Sequence, residues 1–197
     1  MKVIDLSAGD DGERGVDGGG EGDGGRQAVT NKNDNMGLTL LRSLNLLLVA
    51  LLAGTSFGIW MGFDPKGYSA ATYVEQQQQM TAALNALLTA LAIFSTLLTC
   101  LSAYAHRWVK RDMVMLLAAA FFLLVCILIS ALGNKPINDA VMTWTASPPE
   151  NWSTLREQWW VLHILRTIAE LTALVLIIWT YVGVREKKST ASKTIRK

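Results

Sequence analysis

Two cysteines, two histidines and four prolines are all that these 197 residues hold of three informative types. Cys100 and Cys126 lie in separate apolar runs with no Cys-x-x-Cys pair. Dithiol–disulfide exchange needs paired thiols and is thereby excluded, leaving both as small packing residues. The two histidines, His106 and His163, fall at opposite ends of the apolar segments, so a structural zinc set cannot be assembled. No metal or other cofactor is expected. The chain also lacks a Gly-rich phosphate loop, a nucleophile elbow and a Ser-His-Asp arrangement, which excludes the common nucleotide-binding and hydrolase sites. Charge is scarce too, at 17% of residues, with a net value of +2. Nothing in its distribution forms a nucleic-acid footprint.

What the chain has in abundance is apolar length. Residues near 38–63, 81–105, 112–133 and 158–183 each reach the ~20 apolar residues that span a bilayer's hydrocarbon. The expectation is an all-α, integral membrane, antiparallel four-helix bundle over 36–184, with membrane lipid as its surroundings. Residues 1–35 carry nine glycines and eight Asp or Glu, with too little apolar surface to offset ordering entropy. They are expected to form a disordered tail. Residues 185–197 form a second, basic tail. Ten of the fourteen Lys and Arg beyond residue 35 lie at Arg42, at Arg107/Lys110/Arg111, and from Arg185 to Lys197. Four spans put all of these on one face, so both termini are expected to be cytoplasmic.

The spans differ in detail. The first carries Gly54, Gly58 and Gly62 at four-residue spacing, which lets a neighbouring backbone approach closely. Packing within the bundle is the expected use, with self-association through these glycines as the alternative. Asp64-Pro65-Lys66-Gly67 ends that helix, and a short interfacial helix over 68–80 is expected to lead into the second span. There Thr81, Asn85, Thr89, Thr96 and Thr99 share an arc of about 80°, and Asn85 needs a partner at membrane depth. His106 reads as a solvated residue of the short turn before the third span. In the loop from Asn134 to Gln158, tryptophans gather as an aromatic belt. Thr154 and Glu157 fit a capping box for the fourth helix, and Asn151-Trp152-Ser153 matches a glycosylation sequon.

On that fourth helix Trp159, His163, Arg166, Glu170, Ala173 and Ile177 fall on one face. An unpaired Arg in mid-span costs ~2.5–3.5 kcal/mol on insertion scales, so intramembrane ionisable residues mark function by default. Arg166 and Glu170 are i,i+4 neighbours able to pair, as either could with another helix.

Gly133-Asn134-Lys135-Pro136-Ile137-Asn138-Asp139, followed by Trp152, Arg156, Trp159, His163, Arg166 and Thr167, resembles the anthrone oxygenase family of four-helix membrane proteins. The resemblance spans about 36–183, and 133–167 is its specific part. It implies oxidation of an anthrone to an anthraquinone by dioxygen without a cofactor. His163 would then be the general base, since a neutral imidazole suits that role. Arg166 would stabilise the enolate oxygen in a low-dielectric site. Asn134, Asn138 and Asn85 would add hydrogen bonds, with Trp159, Glu170 and Arg156 completing the binding residues. A flat aromatic substrate would reach such a site from the lipid. The alternative is a non-enzymatic membrane protein that binds lipid or scaffolds a partner. An enzyme should bring Asn138, His163 and Arg166 together at a cavity, whereas a scaffold should pair Arg166 with Glu170 in a dry core.

Overall fold

The computed structural model describes the backbone of residues 21–145 and 148–195, and the side chains of 36–145 and 148–183. Contacts divide the chain into 1–37 and 38–197, and the second unit holds the bundle. The expected disorder of 1–35 falls largely outside the described residues; of 21–35 only backbone is described.

Five helices make up the described fold: α1 (Glu21–Gly62), α2 (Ala70–Ala105), α3 (Lys110–Ile129), α4 (Lys135–Val141) and α5 (Trp152–Ile195). A π turn over Ser130–Asn134 joins α3 to α4 without a break, and a 3-10 turn over Pro65–Gly67 follows α1. Four helical stretches are long and apolar enough to cross a membrane: Met36–Gly67, Ala70–Ala105, Lys110–Val141 and Trp152–Gly183. No strand occurs among the described residues. Large apolar side chains such as Met61, Phe94, Leu132 and Trp179 point outward on every span. A soluble surface avoids such patches, whereas lipid is a solvent for them.

The short interfacial helix expected before the second span is instead the start of α2. Ser69 caps it, its Oγ accepting from the Thr72 amide. The fourth helix also begins earlier than the Thr154 cap would have it, at Trp152, and Glu157 turns aside to Arg156. The Trp152 amide donates to Pro149 O, so the loop backbone already supplies the first turn's geometry.

One face of each helix is buried. On α1 this face is Asn45, Val49, Leu52, Ala53, Ser56 and Ile59, the spacing of a single stripe at 3.6 residues per turn. Leu88 and Ala92 of α2, Leu116, Ala119 and Leu123 of α3, and Ala173 and Ile177 of α5 complete the core. Gly133 sets one spacing: a Cβ there would lie 2.8 Å from Leu162 Cδ1 of α5. The glycines of α1 do the opposite. Gly54, Gly58 and Gly62 have nothing within 4 Å of a built Cβ, so their face is turned away from the bundle and the expected internal packing is not found.

At the end that holds the short 106–109 turn, a polar network ties three helices together. Thr99 Oγ1 donates to Asn45 Oδ1, and Asn45 Nδ2 donates to Tyr181 OH at 2.9 Å. Arg42 Nε donates to His106 Nε2 at 3.2 Å, while His106 Nδ1 donates to Ser102 O. His106 is therefore buried, not solvated as expected from the turn. Arg42 and Tyr181, from helices distant in sequence, cover it.

Candidate functional site

A cavity of about 620 Å³ lies between α2 and the α3–α4 run, with α5 behind and α1 beneath. That size suits a small organic ligand, whose sites span roughly 300–1,000 Å³. Its wall is mostly apolar, from residues such as Leu84, Leu88 and Ile127.

The polar part of the wall comes from the π turn. Cys126, Ser130, Asn134 and Asn138 all line the cavity at intervals of four residues. In a straight α-helix that spacing drifts by about 40° per step. The wider winding of a π turn absorbs the drift and holds these side chains on one face. Opposite them α5 presents Trp159, Arg166 and Glu170 to the same space.

Arg166 does not pair with Glu170. Its Nε and Nη2 both donate to His163 Nδ1, at 3.2 and 3.1 Å, and Nη1 reaches Ser130 Oγ at 3.4 Å. Among the described residues the ion pairs are Lys135–Asp139 and Arg156–Glu157. A guanidinium only donates, so His163 Nδ1 is an acceptor and Nε2 carries the proton. Nε2 donates to Ser56 O of α1 at 3.1 Å. The ring stacks on Trp159 at 5.1 Å with an interplanar angle of 4°, and on Trp160 at 5.8 Å. His163 is wholly buried and is not among the cavity-lining residues. It stands behind Arg166 with both nitrogens in use.

Several wall residues carry buried polar atoms without hydrogen-bond partners. They are both amide atoms of Asn134, the indole nitrogen of Trp159 and Oε2 of Glu170. Glu170 Oε1 accepts from Cys126 Sγ at 2.9 Å. Each buried polar group left unsatisfied costs about 1–3 kcal/mol, so a cluster of them around one cavity calls for an explanation.

The structure thus brings Arg166, Asn134, Asn138, Asn85, Trp159 and Glu170 to one cavity. It leaves out His163, one layer back, and Arg156. The Arg156 guanidinium lies over the Trp152 ring at 5.0 Å, beyond the cavity wall. Asn138 is engaged as well, its Oδ1 accepting from Gln77 Nε2 at 2.9 Å. Three contributors escaped the sequence reading: Ser130, Gln77 and Cys126. Cys126 looked like packing because a thiol's donor role depends on which carboxyl faces it.

The model of the anthrone oxygenase family matches residues 77–176, just over half of the chain. The chain belongs to the anthrone oxygenase family. The match runs from Gln77 past Glu170 and includes the cavity's π turn and the α5 wall. No curated protein and no solved structure gives a significant match.

Proposed function

We propose that this family member is a small membrane oxygenase whose cavity holds a hydrophobic phenolic, anthrone-like compound. The observation that carries this reading is the wall itself. Arg166 lacks a carboxylate partner, and it stands among buried donors and acceptors that have none. A ligand bearing carbonyl and hydroxyl groups is the partner such a wall fits.

The chemistry needs only that ligand and dioxygen. An anthrone's methylene C–H is acidic because its enolate is aromatic. Arg166 stabilises the enolate oxygen, a charge interaction that a water-poor site strengthens. Glu170, whose Oε1 accepts from Cys126 and which has the Ser56 hydroxyl beside it, takes the methylene proton. The carbanion then bonds to dioxygen, the peroxide anion takes the proton back from Glu170, and the hydroperoxide loses water to leave a carbonyl. One dioxygen is reduced, the CH2 becomes C=O, and one water departs. His163 acts here as a positioning residue: it holds two guanidinium nitrogens of Arg166 and does not contact substrate. The Lys and Arg distribution supports a cytoplasmic side for both chain termini.

The test is dioxygen uptake and quinone formation by the purified chain in phosphatidylcholine vesicles supplied with 1,8-dihydroxyanthrone. One quinone per dioxygen is expected, with loss of about 10²–10³-fold in Arg166→Ala. A rate no higher than uncatalysed autoxidation, or an Arg166→Ala variant as fast as the parent, would reject the enzyme.

A second reading has its own observation, the mostly apolar remainder of the wall. In it the cavity stores a lipid without reacting it. Mass spectrometry of the purified protein separates the two: phospholipid alone, unchanged by Arg166→Ala, favours storage.

A further inference from the structure

The cavity's borders differ: one end is tied across by side chains, and one side is edged by exposed residues. At the end that holds the long 142–151 connection, Gln77 Nε2 donates to Asn138 Oδ1. One residue on, Gln78 Nε2 donates to Val141 O and Trp144 O, both at 2.9 Å. These three bonds tie α2 to α4 and its following turn at the Gln77–Asn138 end of the cavity. The side is different. Along α2 the cavity is edged by Ala86, Thr89 and Ile93, and along the α3–α4 run by Ile127, Ala131 and Lys135. All six except Ile127 are exposed, and all but Lys135 and Thr89 are apolar. Thr89 spends its hydroxyl on Asn85 O of its own helix, and Lys135 pairs with Asp139, so the rim's uncovered polar group is the Asn85 amide at its edge. The edge lies within two stretches long and apolar enough to cross a membrane.

We propose that this gap between α2 and the π turn is a lateral mouth, through which the site takes a ligand dissolved in the bilayer. The ligand class follows from the two halves. Its oxygenated ring lies at Arg166, Asn134 and Glu170, and any hydrocarbon substituent passes out along Ile93 and Phe94 into lipid. Phe94, 59% exposed and on the cavity edge, marks that path. A hydrocarbon chain gains and loses little between this edge and lipid, because both are equally apolar. Substituents on the ring's outward side should therefore be tolerated whatever their length. The inference rests on the ligand-site reading above.

Two probes in phosphatidylcholine vesicles test it: 1,8-dihydroxyanthraquinone, and the same ring bearing a decyl chain. Affinity is expressed per mole fraction in lipid. The two probes are expected to bind alike. Ala131→Trp, which fills the mouth, is expected to slow association of both by about tenfold or more. Leu128→Trp, on the same helix but outside the cavity lining, controls for folding and should bind like the parent. Gln78→Ala, which loosens the tied end, should leave the association rate unchanged. Rejection of the decyl probe while the parent ring binds would overturn the mouth and leave the ligand site standing. So would normal association in Ala131→Trp, or faster association in Gln78→Ala. If neither probe binds the unmodified protein, the ligand-site reading falls, and the mouth falls with it.

Discussion

Two Arg–His pairs sit at different depths of the same bundle, built from similar parts and set in opposite surroundings. In each, an arginine donates twice to one imidazole nitrogen, and the other nitrogen is bonded to a backbone carbonyl. Around Arg42–His106 the polar partners close on one another, the Ser102 hydroxyl being the buried exception. Asn45 meets both Thr99 and Tyr181, and the Tyr181 ring lies under the Arg42 guanidinium at 5.8 Å. Neither Arg42 nor His106 lines the 620 Å³ cavity. Around Arg166–His163 the network stops short: Asn134, Trp159 and Glu170 keep unsatisfied atoms, and Arg166 borders 620 Å³ of space. The difference teaches how to tell structure from function in a membrane bundle. A buried arginine is no signal by itself, because desolvation can be met by a histidine and carbonyls. Unsatisfied neighbours around a cavity are the signal.

The sharpest way to break the comparison is His163. If it positions Arg166 through Nδ1, then Asn, whose side-chain oxygen lies near that nitrogen, should preserve turnover. Gln, which places its polar atoms near Nε2, should not. His163→Ala and His163→Gln are expected to fall by about 10²-fold, the cost of misplacing a group by about 1 Å, with His163→Asn near the parent. A rate series in which Asn falls as far as Ala would restore the base assignment. At the other pair, His106→Ala should leave quinone formation unchanged. It should still destabilise the fold by about 1–3 kcal/mol, the cost of leaving a charged donor unpartnered. Thermal unfolding in detergent reads the second effect and the oxygen electrode the first. An activity loss in parallel with the stability loss would erase the distinction between the pairs.

Smaller effects sharpen it. Gly133→Ala brings a Cβ against Leu162 Cδ1. Because that methyl can swing, a cost of about 1 kcal/mol is expected, at the low end of overpacking, with Leu162→Ala restoring stability in the double variant. Additive losses would show that the two do not touch. Smallest of all, Gly58→Ala faces open space and is expected to stabilise α1 by about 0.5–1 kcal/mol through helix propensity. Destabilisation there would reveal a partner on the glycine face.

Much of this was legible in the sequence, and for identifiable reasons. Hydropathy over ~20 residues marks a span because lipid leaves the backbone no other partner. The 100° period placed Trp159, Arg166 and Glu170 on one face, and all three line the cavity. What one helix's periodicity does not carry is its register against the others. That register decided that Arg166 turns back to His163 rather than on to Glu170. It buried His106 under Arg42 and Tyr181, and it turned the α1 glycines outward. The π turn was invisible for another reason. Ser130-Ala131-Leu132-Gly133-Asn134 holds no proline or cap to announce a change of winding, and only the contacts at Leu162 and the cavity account for it.

The most direct test compares the two arginines in one assay, equilibrium binding of 1,8-dihydroxyanthraquinone to the protein in vesicles. Arg166→Gln is expected to weaken binding by about 10–100-fold, as loss of a charged hydrogen-bond donor requires. Arg42→Gln is expected to bind like the parent while unfolding at a lower temperature. Equal weakening by both substitutions, or by neither, would contradict the account.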